Sequence, residues 1–387
     1  MKIWIATGGT GGHIFPALAV AQSIVNSPLA GEDGQRNHAG RHDFPSEQNP
    51  RIFNSVDSLS AAAQPPVGGQ NKITISTDAR GYDMVARNKP ANAKVARVWA
   101  SGVGNRSPIG KIVALSKIAL SAAALSARFL VSRPSRIVAF GGYSSVPAVL
   151  AGKLLRIPVF LHEQNAAAGR ANALSAKFAD KILISFPGTT GLPKNARIEL
   201  TGLPVRSDFR PAPYNAGHAI FITGGSLGAN ILREVVPAAI EMLPPSIRNN
   251  LSIVQQVDNN SIQSLSKFYT NLNIKHRLAP FFKDMATEIS EASLVIGRSG
   301  AGTVAELMTV GRPAILVPLN INPDQLANAR AFEKLGGGIT IEQKNFTPKY
   351  LSSILSDLFS NPARLEKMAA SAQTPNHATE NILRAIL

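Results

Sequence analysis

Short apolar runs, each followed by a turn rich in glycine or polar residues and then by a stretch with helical spacing, recur along this 387-residue chain. Lys2–Ala6 predicts a buried strand, and Ile14–Ala21 predicts a helix with Pro16 near its first turn. The same rhythm resumes at Ile73–Ser76 and becomes regular from Arg136: strands at Arg136–Phe140, Pro158–Leu161 and Lys181–Ile184 alternate with helices at Pro147–Leu155 and up to about Phe178. A turn at Thr201–Arg206 closes this half. The second half repeats the plan, with strands at Ala219–Thr223, Leu251–Val254, Ser293–Ile296, Ala314–Pro318 and Gly338–Ile341 and a helix from about Asn230. Apolar strands alternating with helices imply a parallel sheet covered on both faces. Two such halves, each opening on a strand and a glycine-rich turn, predict two Rossmann-like domains facing one cleft. Ligands would bind beyond the carboxyl ends of the strands.

Two stretches break the rhythm. From about 29 to 71 the chain is rich in Gly, Asn, Ser, Pro and Gln and lacks apolar periodicity, so it reads as a largely disordered insertion. His38 and His42 within it stand four apart without further ligands, which is a poor metal site. Lys111–Ser132 is apolar enough to suggest a membrane span, but Lys111, Lys117 and Arg128 interrupt it. An interfacial or core helix fits better.

Charge sharpens this picture. Lys and Arg total 40 against 24 Asp and Glu, a formal charge of +16. Between Met84 and His162 there is no acidic residue, while Arg87, Lys94, Lys117, Arg128, Arg136 and Lys153 are among twelve bases there. Few aromatics accompany them and no nucleic-acid motif appears, so an anionic membrane surface suits the stretch better than nucleic acid. The alternative is an ordinary solvated basic face. The chain contains no cysteine, which removes disulfides, thiolate metal sites and a cysteine nucleophile. Met1-Lys2 runs straight into the first strand, so no signal peptide is expected.

The candidate chemistry lies in the turns. Gly8-Gly9-Thr10-Gly11-Gly12-His13 joins the first strand to the first helix, where free N–H groups stabilise anions and His13 can move a proton near neutral pH. Its glycine spacing is not that of a dinucleotide fingerprint. Gly224-Gly225-Ser226 opens the second half's first helix as an anion nest with a hydroxyl added. Arg206 could supply a planar fork for a diphosphate, or simply a surface ion pair. In Arg298–Glu306, small residues admit a ligand to a helix start and the Glu306 carboxylate can accept two hydrogen bonds from a ribose diol, although an acid near a helix start also stabilises the helix alone. His162-Glu163-Gln164-Asn165 and Asp324–Ala329 offer amides and carboxylates suited to sugar hydroxyls. No cluster has metal-ligand spacing.

Taken in order, the Gly8–His13 turn, Phe140–Tyr143, His162–Asn165, Thr201–Arg206, Gly224–Ala229, and Arg298–Glu306 with Asp324–Ala329 resemble the MurG family of bacterial peptidoglycan N-acetylglucosaminyltransferases. The resemblance spans nearly the whole chain outside the insertion. It implies the GT-B fold and inverting transfer of N-acetylglucosamine from UDP-GlcNAc to lipid I, undecaprenyl-diphosphate-MurNAc-pentapeptide, giving lipid II. The place of action would be the cytoplasmic face of the bacterial inner membrane, with no cofactor and no metal. It implies residues 1–206 as the acceptor and membrane-associating domain, 207–370 as the UDP-sugar domain, and 371–387 as a last helix packing back on the first domain. Residue by residue, it puts Thr10, Gly11, Gly12 and Asn165 near the transferred sugar and acceptor, and Arg206 and Ser226 on the diphosphate. Phe282 would border the uracil, Ala301, Gly302, Thr303, Val304 and Ala305 would lie along the nucleotide, Glu306 would take the ribose and Gln325 the sugar. His13 is the candidate general base, with Glu163 the runner-up. The chain departs from the family pattern in a short loop between Pro318 and Gln325, in Gln255-Gln256-Val257 where the family has His-Gln and then Gly, and in the insertion.

Other readings remain open at this level. A UDP-GlcNAc 2-epimerase would share the fold without needing a membrane face. Another glycolipid transferase would keep that face and change the acceptor. A dehydrogenase could use Asp78 after the second strand, and a noncatalytic membrane scaffold would leave the polar cleft residues unexplained.

Overall fold

A computed structural model describes residues 1–26, 71–102, 107–214, 216–224, 230–320 and 323–387. The expected insertion, apart from Asn71, therefore lies outside the described residues, as do His38, His42 and the nest residue Ser226.

The first half runs β1 (Lys2–Ala6), α1 (Gly11–Asn26), β2 (Lys72–Thr77), α2 (Ala79–Asn88), β3 (Lys94–Arg97), α3 (Pro108–Val131), β4 (Arg136–Ala139), α4 (Val146–Leu154), β5 (Val159–Glu163), α5 (Arg170–Ser175), β6 (Lys181–Ile184) and β7 (Ile198–Leu200). Its strands form one sheet in the order β3-β2-β1-β4-β5-β6-β7, every neighbouring pair parallel. The second half runs β8 (Ala219–Thr223), α6 (Asn230–Glu241), α7 (Pro245–Arg248), β9 (Ser252–Gln256), α8 (Asn259–Asn271), β10 (Lys275–Ala279), α9 (Met285–Glu291), β11 (Leu294–Gly297), α10 (Ala301–Val310), β12 (Ala314–Leu316), α11 (Pro323–Lys334), β13 (Gly338–Thr340), α12 (Pro348–Ser360), α13 (Pro362–Ala372) and α14 (Ala378–Ile386). Its sheet has the order β10-β9-β8-β11-β12-β13, again parallel.

Each sheet is buried on both faces. In the first, Ile3, Ile5, Ile73, Ile75 and Val138 point into one cluster under α1, while Trp4, Ala6, Ile137, Ala139 and Val159 point into another with Leu125 and Phe129 of α3. This is the period-2 alternation of a strand with two apolar faces. The chain's last helix belongs with the first sheet: Ile382 and Ile386 of α14 pack in the α1 cluster, and Asn381 Nδ2 donates to Thr201 O at 3.3 Å.

In both sheets the chain order reverses beside the first strand of the half, β1 against β4 and β8 against β11. That switch opens a crevice at the strands' carboxyl ends, where the glycine turns lie.

Helix α3 presents two kinds of surface. Ala114, Ile118, Ser121, Leu125 and Phe129 form a narrow buried seam, and Ser121 Oγ accepts from Trp99 N at 2.9 Å and donates to Trp99 O. Ile112 and Leu115 face outward at 63% and 52% exposure beside Ile109, Leu120 and Leu130. By length and composition alone this helix could cross a membrane, but its seam is docked on the domain.

Candidate active site

The first glycine turn is shaped by what lies against it. A Cβ on Gly9 would stand 2.3 Å from Asp78 Oδ1, and one on Gly142 would stand 2.7 Å from Gly8 Cα. Gly141 and Gly142 take φ of 86° and 75°, so the turn after β4 nests into the turn after β1. Helix α1 starts at Gly11, earlier than its apolar spacing implied, and His13 lies in its first turn. The imidazole packs over both turns: added Cβ atoms on Gly8 and Gly141 would meet its ring at 3.0 Å.

His13 Nδ1 lies 3.0 Å from Thr10 Oγ1, and among the described residues Nε2 has no partner. Burial, with the nearby Arg80 cation, pulls His13 down to about 4, so the ring is neutral at pH 7. Arg80 is held by Asp78, whose carboxylate accepts from Arg80 Nη2 at 2.6 Å and caps α2 through Arg80 N. That commitment removes the ribose role that a dehydrogenase would require of Asp78.

Behind His13 lies a buried polar network. His162 is fully buried, with Nε2 2.9 Å from Gly202 O and Nδ1 3.2 Å from Gln164 Nε2. An Nε2–H tautomer satisfies both contacts, donating to the carbonyl and accepting from the amide. Burial pulls His162 to about 4 as well. Glu163 is also fully buried, and its carboxylate accepts from Asn165 N, Asn165 Nδ2, Gly169 N and Asn172 Nδ2 at 2.8–3.2 Å. Burial pushes its carboxyl upward against the pull of those donors. As runner-up base Glu163 is badly placed: both oxygens are spent on the 163–172 loop, and the side chain does not reach the cleft surface.

The opposite wall belongs to the second half. Gly300 caps α10 without a side-chain bond, and Val304 N is the first helix amide to find an in-helix partner, at Gly300 O. The N–H groups of Ala301, Gly302 and Thr303 thus form the open first turn. Val304 and Ala305 are buried, so their side chains serve the core rather than a nucleotide. Glu306, further along the same helix, is half-buried, and burial raises its carboxyl to about 7 despite the nearby Arg206 cation. Arg206 is exposed, 3.3 Å from Asp208 and stacked on Phe209. Gln325 is half-buried, with Oε1 accepting from Leu319 N at 3.0 Å and its carbonyl accepting from Ser299 Oγ at 2.8 Å. The Phe282 ring is 5% exposed, edge-on to Phe221 and beneath Arg277. A base bordered by Phe282 would therefore meet its main chain rather than its ring.

The structure thus places Thr10, Gly11, Gly12, His13 and Asn165 on one wall and Arg206, Ala301–Thr303, Glu306 and Gln325 on the other. Asn172 escaped sequence reasoning, and Gln164 and Asn328 were read only as amides in polar runs suited to sugar hydroxyls, not as buried network residues. Asn328 is fully buried and joins the two walls through Ala166 N, Asn165 Oδ1 and Ser299 O. The sequence signal of its burial is its place on α11 beside Ala329 and Phe332, a polar residue on an apolar stripe.

Two parallel-sheet Rossmann-like domains facing a cleft make the GT-B fold, and the family models make the chain a glycosyltransferase. The Glycosyltransferase family 28 N-terminal domain matches residues 72–184, and its C-terminal domain matches residues 219–382. A UDP-N-acetylglucosamine--N-acetylmuramyl-(pentapeptide) pyrophosphoryl-undecaprenol N-acetylglucosamine transferase of Rhodospirillum centenum is 38% identical, covering 96% of this chain and 89% of that protein. A transferase of the same name from Methylorubrum extorquens is 35% identical over 96% of this chain and 92% of its own. The crystal structure of Acinetobacter baumannii MurG superposes with a TM-score of 0.75 at 27% identity, over 100% of this chain and 98% of the other. The Neisseria meningitidis UDP-GlcNAc 2-epimerase shares the fold alone, at 13% identity and a TM-score of 0.62 over 99% of both chains. The chain belongs to the MurG family of glycosyltransferase family 28.

Proposed function

We propose that this chain moves N-acetylglucosamine from UDP-GlcNAc to lipid I with inversion, making lipid II for peptidoglycan. The observation that carries the reading is the division of labour across the cleft. One wall offers an unprotonated imidazole, and the other offers open helix amides, an arginine and a carboxylate.

In the proposed step the acceptor hydroxyl oxygen attacks the anomeric carbon. The carbon–oxygen bond to the diphosphate breaks, and UDP leaves with the bonding electron pair. His13 takes the hydroxyl proton. With Nδ1–H donated to Thr10 Oγ1, the Nε2 lone pair is left for that proton. Arg206 and the N–H groups of Ala301–Thr303 receive the leaving diphosphate's charge, aided by Ser226. Glu306 holds the ribose diol, Gln325 and Asn165 hold the sugar, and Thr10 and Gly11 lie near the sugar and acceptor, for which Gly12 leaves room. An added Cβ at Gly12 meets nothing within 4 Å.

We assign residues 1–206 to the acceptor domain, 207–370 to the donor domain and 371–387 to the returning helix. The outer face of α3, with Ile109, Ile112, Leu120 and Leu130 exposed beside Lys111 and Lys117, suits peripheral docking on the anionic cytoplasmic face of the inner membrane. Nucleic acid has no place in this reading.

The test is transfer of label from UDP-GlcNAc to a lipid I analogue, with the anomeric configuration of the product read by NMR. Formation of a β-linked disaccharide lipid supports the proposal. Release of the 2-epimeric UDP-sugar without acceptor would instead establish the epimerase reading.

A further inference from the structure

One buried side chain hydrogen-bonds to both walls of the cleft, where Ala166 and Phe186 of the first half also pack into the second half's core. Asn328 Oδ1 accepts from Ala166 N at 2.8 Å, while its Nδ2 donates to Asn165 Oδ1 at 3.0 Å and to Ser299 O at 3.1 Å. Asn165 lies in the first half and Ser299 in the second, so this amide belongs to both. The contacts extend outward on each side. Asn165 N and Nδ2 donate to Glu163, which is buried beneath the acceptor wall. Ser299 Oγ donates to the carbonyl of Gln325, one turn before Asn328 on α11. A buried amide with three good partners is not a surface contact between domains that merely meet. Each of its bonds is desolvated, and losing Asn328 would leave the Ala166 N–H and the Asn165 oxygen without partners.

We propose that Asn328 is a positioning residue: a latch between the two domains that fixes Asn165 and Gln325 relative to one another. The inference stands on contacts within the protein itself, and so does not depend on which sugar or acceptor the cleft takes. Its chemical consequence is preorganisation. With the latch made, the donor meets a cleft whose walls are already in register; without it, part of the donor's binding energy is spent on closure.

The experiment compares Asn328→Ala and Asn165→Ala with the unaltered protein, all without ligand. Small-angle scattering should report a larger radius of gyration for both variants, and hydrogen exchange should show the Ala166 amide losing protection in Asn328→Ala. Donor KM should rise roughly tenfold, the scale of one or two buried hydrogen bonds. The radius of gyration of the double variant should be little larger than that of Asn328→Ala alone, since the two residues share one interdomain bond. If Asn328→Ala does not fold, Asn165→Ala removes the same interdomain bond from its half-exposed side and should open the protein in the same direction. Scattering and Ala166 exchange identical to the unaltered protein, with donor KM still raised, would overturn the latch and make Asn328 a direct ligand contact. Unchanged values throughout would overturn it too.

Discussion

The two walls of the cleft are built on opposite principles. On the acceptor wall, His162, Glu163, Gln164 and Asn172 are fully or nearly buried and bonded to one another or to nearby main chain. That network meets most of its hydrogen-bonding needs within the protein, with Gln164 Oε1 and Asn172 Oδ1 left over. On the donor wall, Arg206 is exposed, Glu306 is half-buried with its carboxyl raised to about 7, and the first turn of α10 leaves its amides open. Among the described residues no donor reaches the Glu306 carboxylate, and Arg206 is paired with Asp208 at the surface, where a nucleotide diphosphate could take its place. One wall is bonded largely within itself; the other leaves its charged and N–H groups open to a ligand. The contrast suits a reaction in which one proton must leave along a fixed line while a large anion must be received and released.

The sharpest way to break this contrast is His13→Ala. A positioned general base contributes about 10²–10⁴-fold, so kcat should fall on that scale while UDP affinity stays nearly unchanged. Because burial holds His13 at about 4, the acid limb it causes in kcat/KM should lie near pH 4 rather than near 6.5. A variant keeping kcat within a fewfold, with only acceptor KM raised, would make His13 a binding residue.

Glu163 tests the self-bonded wall. Glu163→Ala leaves the Asn165, Gly169 and Asn172 donors unpartnered in the interior. With about 1–3 kcal/mol for each buried group left unsatisfied, a loss of roughly 2–4 kcal/mol in denaturant unfolding is expected. Glu163→Gln keeps an acceptor and should lose less. Equal stability of both variants and the unaltered protein would show that the wall relaxes without cost.

Glu306 tests the open wall. Glu306→Ala should weaken UDP-GlcNAc binding by about 1–3 kcal/mol in calorimetry with little effect on folding. The pH sign follows from its raised carboxyl. The folded, empty protein holds this proton up to about pH 7, whereas a ribose diol needs the carboxylate. Donor affinity should therefore fall as pH drops from 8 to 6, and Glu306→Gln should flatten that slope. Stability runs the other way. The raised group binds its proton more tightly folded than unfolded, so its contribution is present below the unfolded value and is lost as pH rises through about 7. Donor affinity that does not change with pH would dismiss Glu306 as the ribose group.

The same contrast governs what could be read from the sequence. The two parallel sheets were legible because buried strands write themselves as apolar runs between glycine turns, as at Ile3–Ala6 and Leu294–Gly297. Helix α2 and strand β3 were not, because Ala79–Asn88 buries only Gly81 and Val85, and Lys94–Arg97 places bases at both ends of an outer strand. Open-wall residues such as Arg206 and Glu306 stand out as charges beside small residues. The self-bonded wall does not show itself: Glu163 was legible as a cleft carboxylate, but that its oxygens are spent depends on Gly169 and Asn172 folding back over it. Asn328 is the extreme case, since its partners lie 29 and more than 160 positions away.

The smallest expected effect concerns α3, which repeats the contrast on the protein's outside. Its seam of Ala114, Ile118, Leu125 and Phe129 is buried, whereas Ile112 and Leu120 stand 63% and 64% exposed with Lys111 and Lys117 beside them. A lipid surface would complete this face in two ways, by covering the apolar side chains and by neutralising the bases. The two contributions separate by experiment. A basic residue near an anionic bilayer contributes about 1 kcal/mol and is screened by salt, whereas an apolar side chain entering the interface contributes a similar amount that salt does not remove. Lys117→Gln should therefore lower partitioning onto anionic vesicles a fewfold at low salt and hardly at all at high salt. Leu120→Ser should lower it by a similar factor at both. Partitioning onto neutral and anionic vesicles alike, or loss with neither substitution, would leave α3 a solvated helix and place the membrane contact elsewhere on the chain.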